Sequence, residues 1–533
     1  MDNVTEPVLE AKLELPPALT AIASREIELK FLATPDMLEQ VRQAPAVTRH
    51  AMNTGLTRRL ETTYYDTPDR ILFGHGLSLR VRRAGTRYVQ TLKRAPTEAQ
   101  PFARGQWESP VDGGVPDLGR LPLAEADLLP DMLDPAALAP IFVTRFRRRT
   151  QRLLRSGSVI EIAFDEGSIE AGDRSEPLTE IEIELKSGES RVLYDLGQEL
   201  LEIAPLRLGT RSKSDRGYAL AFALAPHAIK ASVPAISAWH TVDDVVGTLI
   251  GSCQHQLLAN QAVAEAGRDP EGIHQMRVAL RRLRTACGLL NRELGSPALA
   301  GFAAEAKWVA SALGPAREWD VFVSDTLRGP ARALGTEFDR EGLCKAAEPY
   351  RQAAYAALHE VLGSQRYNQF QLSLRHWIEC RGWRNDLENR SLAALLEPAP
   401  AFASRVMVRL HRKALKQGRH FDRLDPEGRH EVRIALKKLR YATQFFDGVY
   451  GATKPVREFG FCLAKLQDVL GHANDGAMTE PLLRRLAVDP VPGSVQRAIG
   501  ALAGWQARDR IALARKLVRH WRRFKAMPAY WPG

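Results

Sequence analysis

Glu26, Glu28 and Lys30 stand at alternate positions of the run EIELK, and Glu180, Glu182 and Glu184 do the same in EIEIEL at 180–185. Alternate side chains of a β-strand share one face, so each run sets a row of charge against a row of Ile, Leu or Phe. Such a row can face bulk water or line a charged cavity. Enclosed carboxylates need cations, because they raise each other's pKa and an unpaired buried charge is costly. Cations recur in the strands between the two runs. Arg80 and Arg82 alternate in LSLRVRR, Lys93 follows in RYVQTLKRA, Arg148 lies in the basic run 145–149, and SKSDRGY supplies Lys213 and Arg216. Glu108 and Asp165 add further acid. A carboxylate cluster beside a Lys/Arg cluster suits a metal-bound oligophosphate. Hard divalent cations bridge carboxylate and phosphate oxygens, and guanidinium forks and ammonium groups hold the remaining phosphate oxygens. No GxxxxGK[ST] loop occurs, so P-loop chemistry is not expected.

These residues need a sheet to position them, and the first half of the chain reads as one. Short alternating runs dominate before about residue 225, separated by turn signals such as Ala84-Gly85-Thr86 and Glu166-Gly167-Ser168. The pattern predicts a mostly antiparallel β domain with inserted helices at Pro35 to Gln43 and Arg191 to Ile203. Beyond Pro234 the texture changes to long segments of 3.6-residue periodicity. Residues 226–238, PHAIKASVPAISA, read as the linker. The helical half also repeats itself: DPEGIHQMRVALRRLR at 269–284 matches DPEGRHEVRIALKKLR at 425–440, with ten identities in sixteen positions. The same offset places His255 on His411, and one more residue places LGPARE on LGHAND. A duplicated helical unit of two bundles follows, with repeats at about 239–390 and 391–525.

Composition adds bounds. The 533 residues allow roughly two to four domains, and 45% hydrophobic content allows a sizeable core. The five cysteines show no CxxC pairing, which favours a reducing compartment over a disulfide scaffold. No signal-like N-terminus or membrane-length apolar run is seen, and a soluble cytoplasmic protein is expected. The net charge of +11 is uneven: residues from Trp239 onward carry 44 Lys+Arg against 30 Asp+Glu, so the positive field belongs to the helical half. Such a surface attracts polyanions.

EIELK (26–30), YYDT (64–67), LSLRVR (77–82), TLK (91–93), FDEG (164–167), EIEIEL (180–185) and SKSDRGY (212–218), in this order, resemble the CYTH domain of the triphosphate tunnel metalloenzymes. The resemblance covers about residues 24–225 and implies an α+β domain: an eight-stranded antiparallel β-barrel tunnel with flanking helices, hydrolysing triphosphates with Mg²⁺ or Mn²⁺. It implies Glu26, Glu28, Asp165, Glu182 and Glu184 as metal ligands, and Lys30, Arg80, Arg82, Lys93, Arg148, Lys213 and Arg216 as phosphate contacts. Catalysis would rest on Glu26, Glu28, Lys30 and Lys93. Glu108 takes the place of a tunnel carboxylate. Tyr64 and Tyr65 read as sheet packing, and Asp66 as a turn group or a support of the site.

In the helical half, His274, Arg277, Arg281 and Arg284 fall on one stripe at helical spacing, and His430, Arg433, Lys437 and Arg440 repeat it. The stripes and the pair His255 and His411 resemble the CHAD domain, an all-α module commonly attached to CYTH domains and associated with inorganic polyphosphate. The resemblance spans about residues 239–525. It implies phosphate contacts at all ten of these positions, and no HxxxH or HxxH spacing suggests a metal site there. The leading expectation is an inorganic triphosphatase joined to a polyphosphate-binding module, with association to polyphosphate granules as a corollary. Nucleic acid is a less favoured polyanion, and no protein partner is identifiable. Two other readings stay open: an adenylate cyclase, for which the sequence shows no identifiable purine pocket, and a non-enzymatic binder of polyphosphate or nucleic acid.

Overall fold

The computed structural model describes residues 27–94, 106–121, 129–488 and 490–532. One antiparallel sheet organises the first domain: β1 (Glu28–Leu32), β2 (Leu56–Asp66), β3 (Leu77–Ala84), β4 (Arg87–Arg94), β5 (Gln106–Val111), β6 (Ala139–Arg155), β7 (Ser158–Ala171), β8 (Arg174–Ser187) and β9 (Arg207–Leu208). The order across it is β5-β4-β3-β2-β6-β7-β8-β1-β9. The expected eight strands are thus nine, because two residues after Leu206 add a short edge to β1. Strands β6, β7 and β8 are long, and a two-residue turn at Ser156-Gly157, both with positive φ, joins the first two.

Alternation decides which side of each strand is wet. On β1, Leu29 and Phe31 are buried among Ile160, Ile162, Ile181 and Ile183. Helices α1 (Pro35–Gln43) and α2 (Ser190–Ile203) cover that outer face with Val41, Leu193, Leu196 and Leu200. Glu28 and Lys30 point the other way and line an internal cavity.

Helix α3 (Lys213–Phe222) begins at a capping box. Ser212 Oγ accepts the Asp215 N–H at 3.1 Å and Asp215 Oδ2 accepts the Ser212 N–H at 2.9 Å, a reciprocal capping box. Gly217 lets this helix approach the sheet: a Cβ there would lie 2.0 Å from Phe142 Cε2. Tyr218, one residue on, donates to Asp66 Oδ2 at 2.8 Å. Asp66 is fully buried and also accepts the N–H groups of Thr67, Leu72 and Phe73 at 2.8, 2.9 and 3.0 Å. YYDT and SKSDRGY therefore meet at one buried carboxylate.

The second domain is helical: α4 (Val242–Ala259), α5 (Pro270–Leu294), α6 (Pro297–Ala312), α7 (Gly314–Val321), α8 (Arg340–Gly363), α9 (Gln365–Glu379), α10 (Ala399–Gln417), α11 (Pro426–Phe445), α12 (Lys454–Leu486) and α13 (Gly493–Lys525), with shorter turns between them. The repeated DPEG is a repeated start signal. Asp269 and Asp425 are N-caps, accepting from Glu271 and Gly428 at 2.8 and 2.7 Å, and proline takes the first turn in both. One apolar core running from Ile236 to Trp531 joins the two repeats, and a smaller one gathers around Trp319, Leu343, Leu486 and Leu502. The domains also share packing, since Leu372 of α9 is buried in the core of the first domain. All five cysteines are free thiols.

Candidate functional site

Side chains from all eight longer strands, with the start of α3, line one cavity of about 770 Å³. Its two long walls carry opposite charge. Register puts Glu28 of β1 directly opposite Glu184 of β8, and Lys30 opposite Glu182. Like charges directly opposite on adjacent strands repel, and this pair faces the cavity with Glu161 and Lys186 nearby. Across the cavity, β3 presents Arg80 and Arg82, β4 presents Lys93 and β5 presents Glu108.

Beneath the acidic wall lies a buried ion network. Lys213 Nζ sits 2.8 Å from Asp165 and 2.8 Å from Glu182, and also pairs with Glu180. Arg148 holds Asp165 through two bonds of 2.7 and 2.6 Å and reaches Glu182. Lys30 lies 3.1 Å from Glu182 and 3.5 Å from Glu180. Burial alone would raise Glu182, but Lys213, Arg148 and Lys30 hold it well below the usual carboxylate range. Burial pulls Lys30 and Lys213 down, and the surrounding carboxylates more than reverse this.

The basic wall is in the opposite condition. Among the described residues no carboxylate lies within ion-pair distance of Arg80 or Arg82, and Arg80 Nε is buried without a hydrogen-bond partner. Arg80, then burial, then Arg148 push Arg82 down to about 9. A guanidinium keeps its proton at neutral pH, so this repulsion is a standing demand for an anion. Tyr64 is drawn into the same cluster. Burial would raise its phenol, yet Arg80, by charge and by hydrogen bond, brings it below its ordinary value.

Of the positions expected from sequence, Glu28, Lys30, Arg80, Arg82, Lys93, Glu108, Arg148, Glu182, Glu184 and Lys213 converge on this cavity. Glu26 lies outside the described residues. Two of the expected residues sit apart from that lining. Asp165 is fully buried and lies behind it, held by Arg148 and Lys213. Arg216 is turned away from the cavity onto β8, donating to Glu176 at 2.7 Å and to Pro177 O at 2.6 Å. Glu161 and Lys186 line the cavity without having been singled out, and Tyr64, read as sheet packing, lines it as well.

Oxygen ligands for a divalent cation are present in two places. Asp165, Glu180 and Glu182 bring carboxylate oxygens within 4.8 Å of one another, but Lys213 Nζ already bonds all three, so a metal there would have to displace it. Glu28 and Glu184 stand opposite each other across β1 and β8 and line the cavity, so a hard dication could bridge them, in competition with Lys186, which pairs with Glu184 at 2.6 Å.

The basic stripes of the helical domain meet across the repeat. Arg281 Nε donates to Tyr441 OH of α11 at 3.2 Å, and Arg277 donates to Ala310 O at 2.6 Å. Burial, then Arg317, Arg281 and Arg277, lower His274; Arg277 is lowered by burial and by Arg281 and Arg317. Lys438 is lowered by burial, Lys413 and Arg284, which joins α5, α10 and α11 into one cationic surface. His430 and Arg284 are exposed on it, Arg433 and Lys437 are half-buried, and Arg440 reaches Gln467 of α12 at 3.3 Å. Alongside α10, Arg405, Arg409, Arg412, Lys413 and Lys416 line a groove of about 1170 Å³. Their spacing along the helix was the available sequence signal.

The two histidines placed outside the stripes do not join them. His411 is ringed by Phe459, Phe524 and Trp531 with centroids 5.8, 5.7 and 5.4 Å away, and its buried Nε2 has no partner. His255 lines a cleft between the two domains. His411, expected as a phosphate contact, is thus half-buried among aromatic rings. Among the described residues, no helix is long and apolar enough to cross a membrane.

Comparison with known proteins bears on the identity of both domains. The CYTH domain family model matches residues 24–218 and the CHAD domain family model matches residues 248–484. The inorganic triphosphatase of Haemophilus influenzae is 33% identical over 202 residues, 37% of this chain and 56% of that protein. The chain thus spans little more than half the length of that relative. A solved CHAD domain from the plant Ricinus communis shares 28% identity, covering 57% of this chain and 98% of that one with a TM-score of 0.48. A Hippeastrum protein named as an adenylyl cyclase, and described as having a dominant triphosphatase activity, shares 19% identity over 36% of this chain and 94% of that one, TM-score 0.27. The charged cavity and the helical repeats thus belong to a chain that joins a CYTH domain to a CHAD domain.

Proposed function

We propose that the CYTH cavity hydrolyses inorganic triphosphate to pyrophosphate and orthophosphate with Mg²⁺ or Mn²⁺, and that the CHAD domain binds polyphosphate. The observation that carries the first reading is the opposition of Glu28, Glu182 and Glu184 to the unneutralised pair Arg80 and Arg82. Glu28 and Glu184, with Glu26, would hold the metal, which when bound neutralises phosphate charge and strengthens the leaving group. Arg80 and Arg82 grip phosphate oxygens as forks, and Lys93 and the part-balanced Lys30 and Arg148 fix the chain's position. Lys213 holds the acidic wall in place and tilts its field toward the substrate. Water adds its oxygen to phosphorus, and the bridging oxygen leaves with pyrophosphate.

Phosphate release from tripolyphosphate with and without Mg²⁺ or Mn²⁺ tests this reading. Activity is expected to require the metal; survival of activity in the Glu26→Ala, Glu28→Ala double variant would sink it. The polyphosphate reading is supported by the joined cationic surface of α5, α10 and α11. Long-chain polyphosphate should compete with duplex DNA on the full chain, and Arg281→Ala with Lys437→Ala should weaken its binding. If DNA and polyphosphate show the same affinity and salt slope, the surface is a generic polyanion binder.

A further inference from the structure

The inner rows of charge run on past the tunnel. A smaller cavity of about 400 Å³ adjoins it near the start of β2 and shares Arg82, Arg148 and Glu161 with it. Strand parity builds this mouth. On β6 the inward row that gives the tunnel Arg148 continues through Thr150 to Arg152, and on β2 the row that gives it Tyr64 runs back through Leu60 to Arg58. The mouth is a different opening from the cleft between the two domains, since the two have no lining residue in common.

Four guanidinium groups, those of Arg58, Arg82, Arg148 and Arg152, meet at the mouth, and Glu161 is the only carboxylate among the described residues that line it. Arg58 stands directly opposite Arg148 in the register of β2 and β6. Like charges so placed, with Cβ atoms about 4.5–5.5 Å apart, repel. Arg148 is offset by Asp165 and Glu182. Arg152 reaches Glu161 at 3.8 Å and shares it with Lys186, which lies 3.6 Å from it. Among the described residues no carboxylate lies within ion-pair distance of Arg58. The positive wall of the tunnel therefore extends beyond Arg80 and Arg82, by about 13 Å along β6 from Arg148 to Arg152.

We propose that this mouth is a subsite for a fourth phosphate, held by Arg58 and Arg152, so that the tunnel takes linear oligophosphates longer than triphosphate. The inference rests on the tunnel being a triphosphate site. Guanidinium forks match the paired free oxygens of a phosphate within a chain. Hydrolysis of tetrapolyphosphate consumes one water, whose oxygen bonds to the terminal phosphorus. The bridging P–O bond breaks, its electron pair and oxygen leave with triphosphate, and one proton is released at neutral pH. The triphosphate product is then a substrate in its own right.

The test compares kcat/KM for linear tetrapolyphosphate and for tripolyphosphate, with Mg²⁺ or Mn²⁺, in the full chain and in two variants. Arg58→Ala with Arg152→Ala strips the mouth; both side chains are exposed, and unfolding midpoints check that the variant folds. Arg211→Ala removes a cation from the interdomain cleft instead. The expected result for the double variant is a loss of about tenfold or more on tetrapolyphosphate, the scale of one or two hydrogen bonds to a charged group, with a far smaller change on tripolyphosphate. Arg211→Ala should not separate the two substrates. Equal losses on both substrates in the double variant, no loss on either, or a selective loss on tetrapolyphosphate in Arg211→Ala alone would each overturn the subsite. So would a parent chain that turns over tripolyphosphate while tetrapolyphosphate neither reacts nor competes. A parent chain that hydrolyses neither substrate removes the tunnel reading itself, and the subsite with it.

Discussion

Arg82 and Lys213 show the two ways this site handles charge. Lys213 is surrounded by Asp165, Glu180 and Glu182, so removing it leaves these three carboxylates with only Arg148, Lys30 and Arg216 to balance them. Lys213→Met should destabilise the protein by about 3–5 kcal/mol at neutral pH, the usual result of breaking a buried pair from one side. The sign of the pH effect follows from the shifts. In the parent chain Glu182 is held low, so its contribution is present above its unfolded pKa and is lost as pH falls toward its folded one. Without Lys213 the largest of the charges holding Glu182 low is gone, so the variant loses less stability than the parent as pH falls. Urea unfolding at pH 7 and pH 4.5 should show the gap narrowing at the lower pH; a constant gap would contradict the network. Arg82 is the reverse case, since its neighbours Arg80 and Arg148 repel it. Arg82→Ala should leave the unfolding midpoint unchanged or higher while lowering triphosphatase activity by about 10²-fold, the range seen when one preorganised charge is lost. A fall in both would show a structural role. The rows of charge were legible in the sequence because strand parity assigns a face. Parity says nothing of depth, which is why Asp165 and Arg216 carried the right chemistry but lie behind the lining.

Strand β1 is held on both edges. It pairs with β8 over five residues and with β9 over two, and the Gly209 N–H donates to Lys30 O at 2.8 Å. A Cβ on Gly209 would lie 2.7 Å from Lys30 Cγ, against a side chain whose Nζ is tied to Glu180 and Glu182. Gly209→Ala should therefore move Lys30 and raise KM for tripolyphosphate, with a smaller effect on the unfolding midpoint than Gly217→Ala. The latter drives a methyl into the rigid ring of Phe142 and should cost about 1–3 kcal/mol by overpacking. Measuring both quantities on both variants separates displacement of a ligand from loss of packing. At this scale the sequence was uneven. DPEG stood out twice as a repeat and caps a helix both times, whereas the cap in SKSD emerged only with the structure. A two-residue strand such as β9 has no periodicity to read, and its existence depends on β1 and α9 being brought to either side of it. The surroundings of His411 were hidden for the same reason, since its ring of aromatics is assembled from α12, α13 and the segment after it.

The two domains are bound through α9 rather than hung on a tether. Leu372 fills the core of the first domain, and Asn368 Oδ1 accepts the Leu208 N–H of β9 at 2.8 Å. Gln198 donates to Ser373 at 2.8 Å, Gln365 donates to Leu201 O at 2.9 Å, and Arg207 pairs with Glu265. Tyr194 stacks on His376 with centroids 5.2 Å apart. Sequence texture marked where one architecture gives way to the other, but not this contact, because the apolar positions of α9 look alike whether they face their own bundle or a neighbouring sheet. A buried, hydrogen-bonded interface makes relative motion costly, so the full chain should unfold in a single calorimetric transition despite its two architectures. Leu372→Asp places a charge in an aliphatic core, where it is expensive, and should split that transition in two. Because β9 lies between α9 and the strand carrying Lys30, triphosphatase activity should disappear with the first of the two steps. Two separate transitions in the parent chain, or a Leu372→Asp variant that still melts as one unit, would show that the helical domain does not support the tunnel.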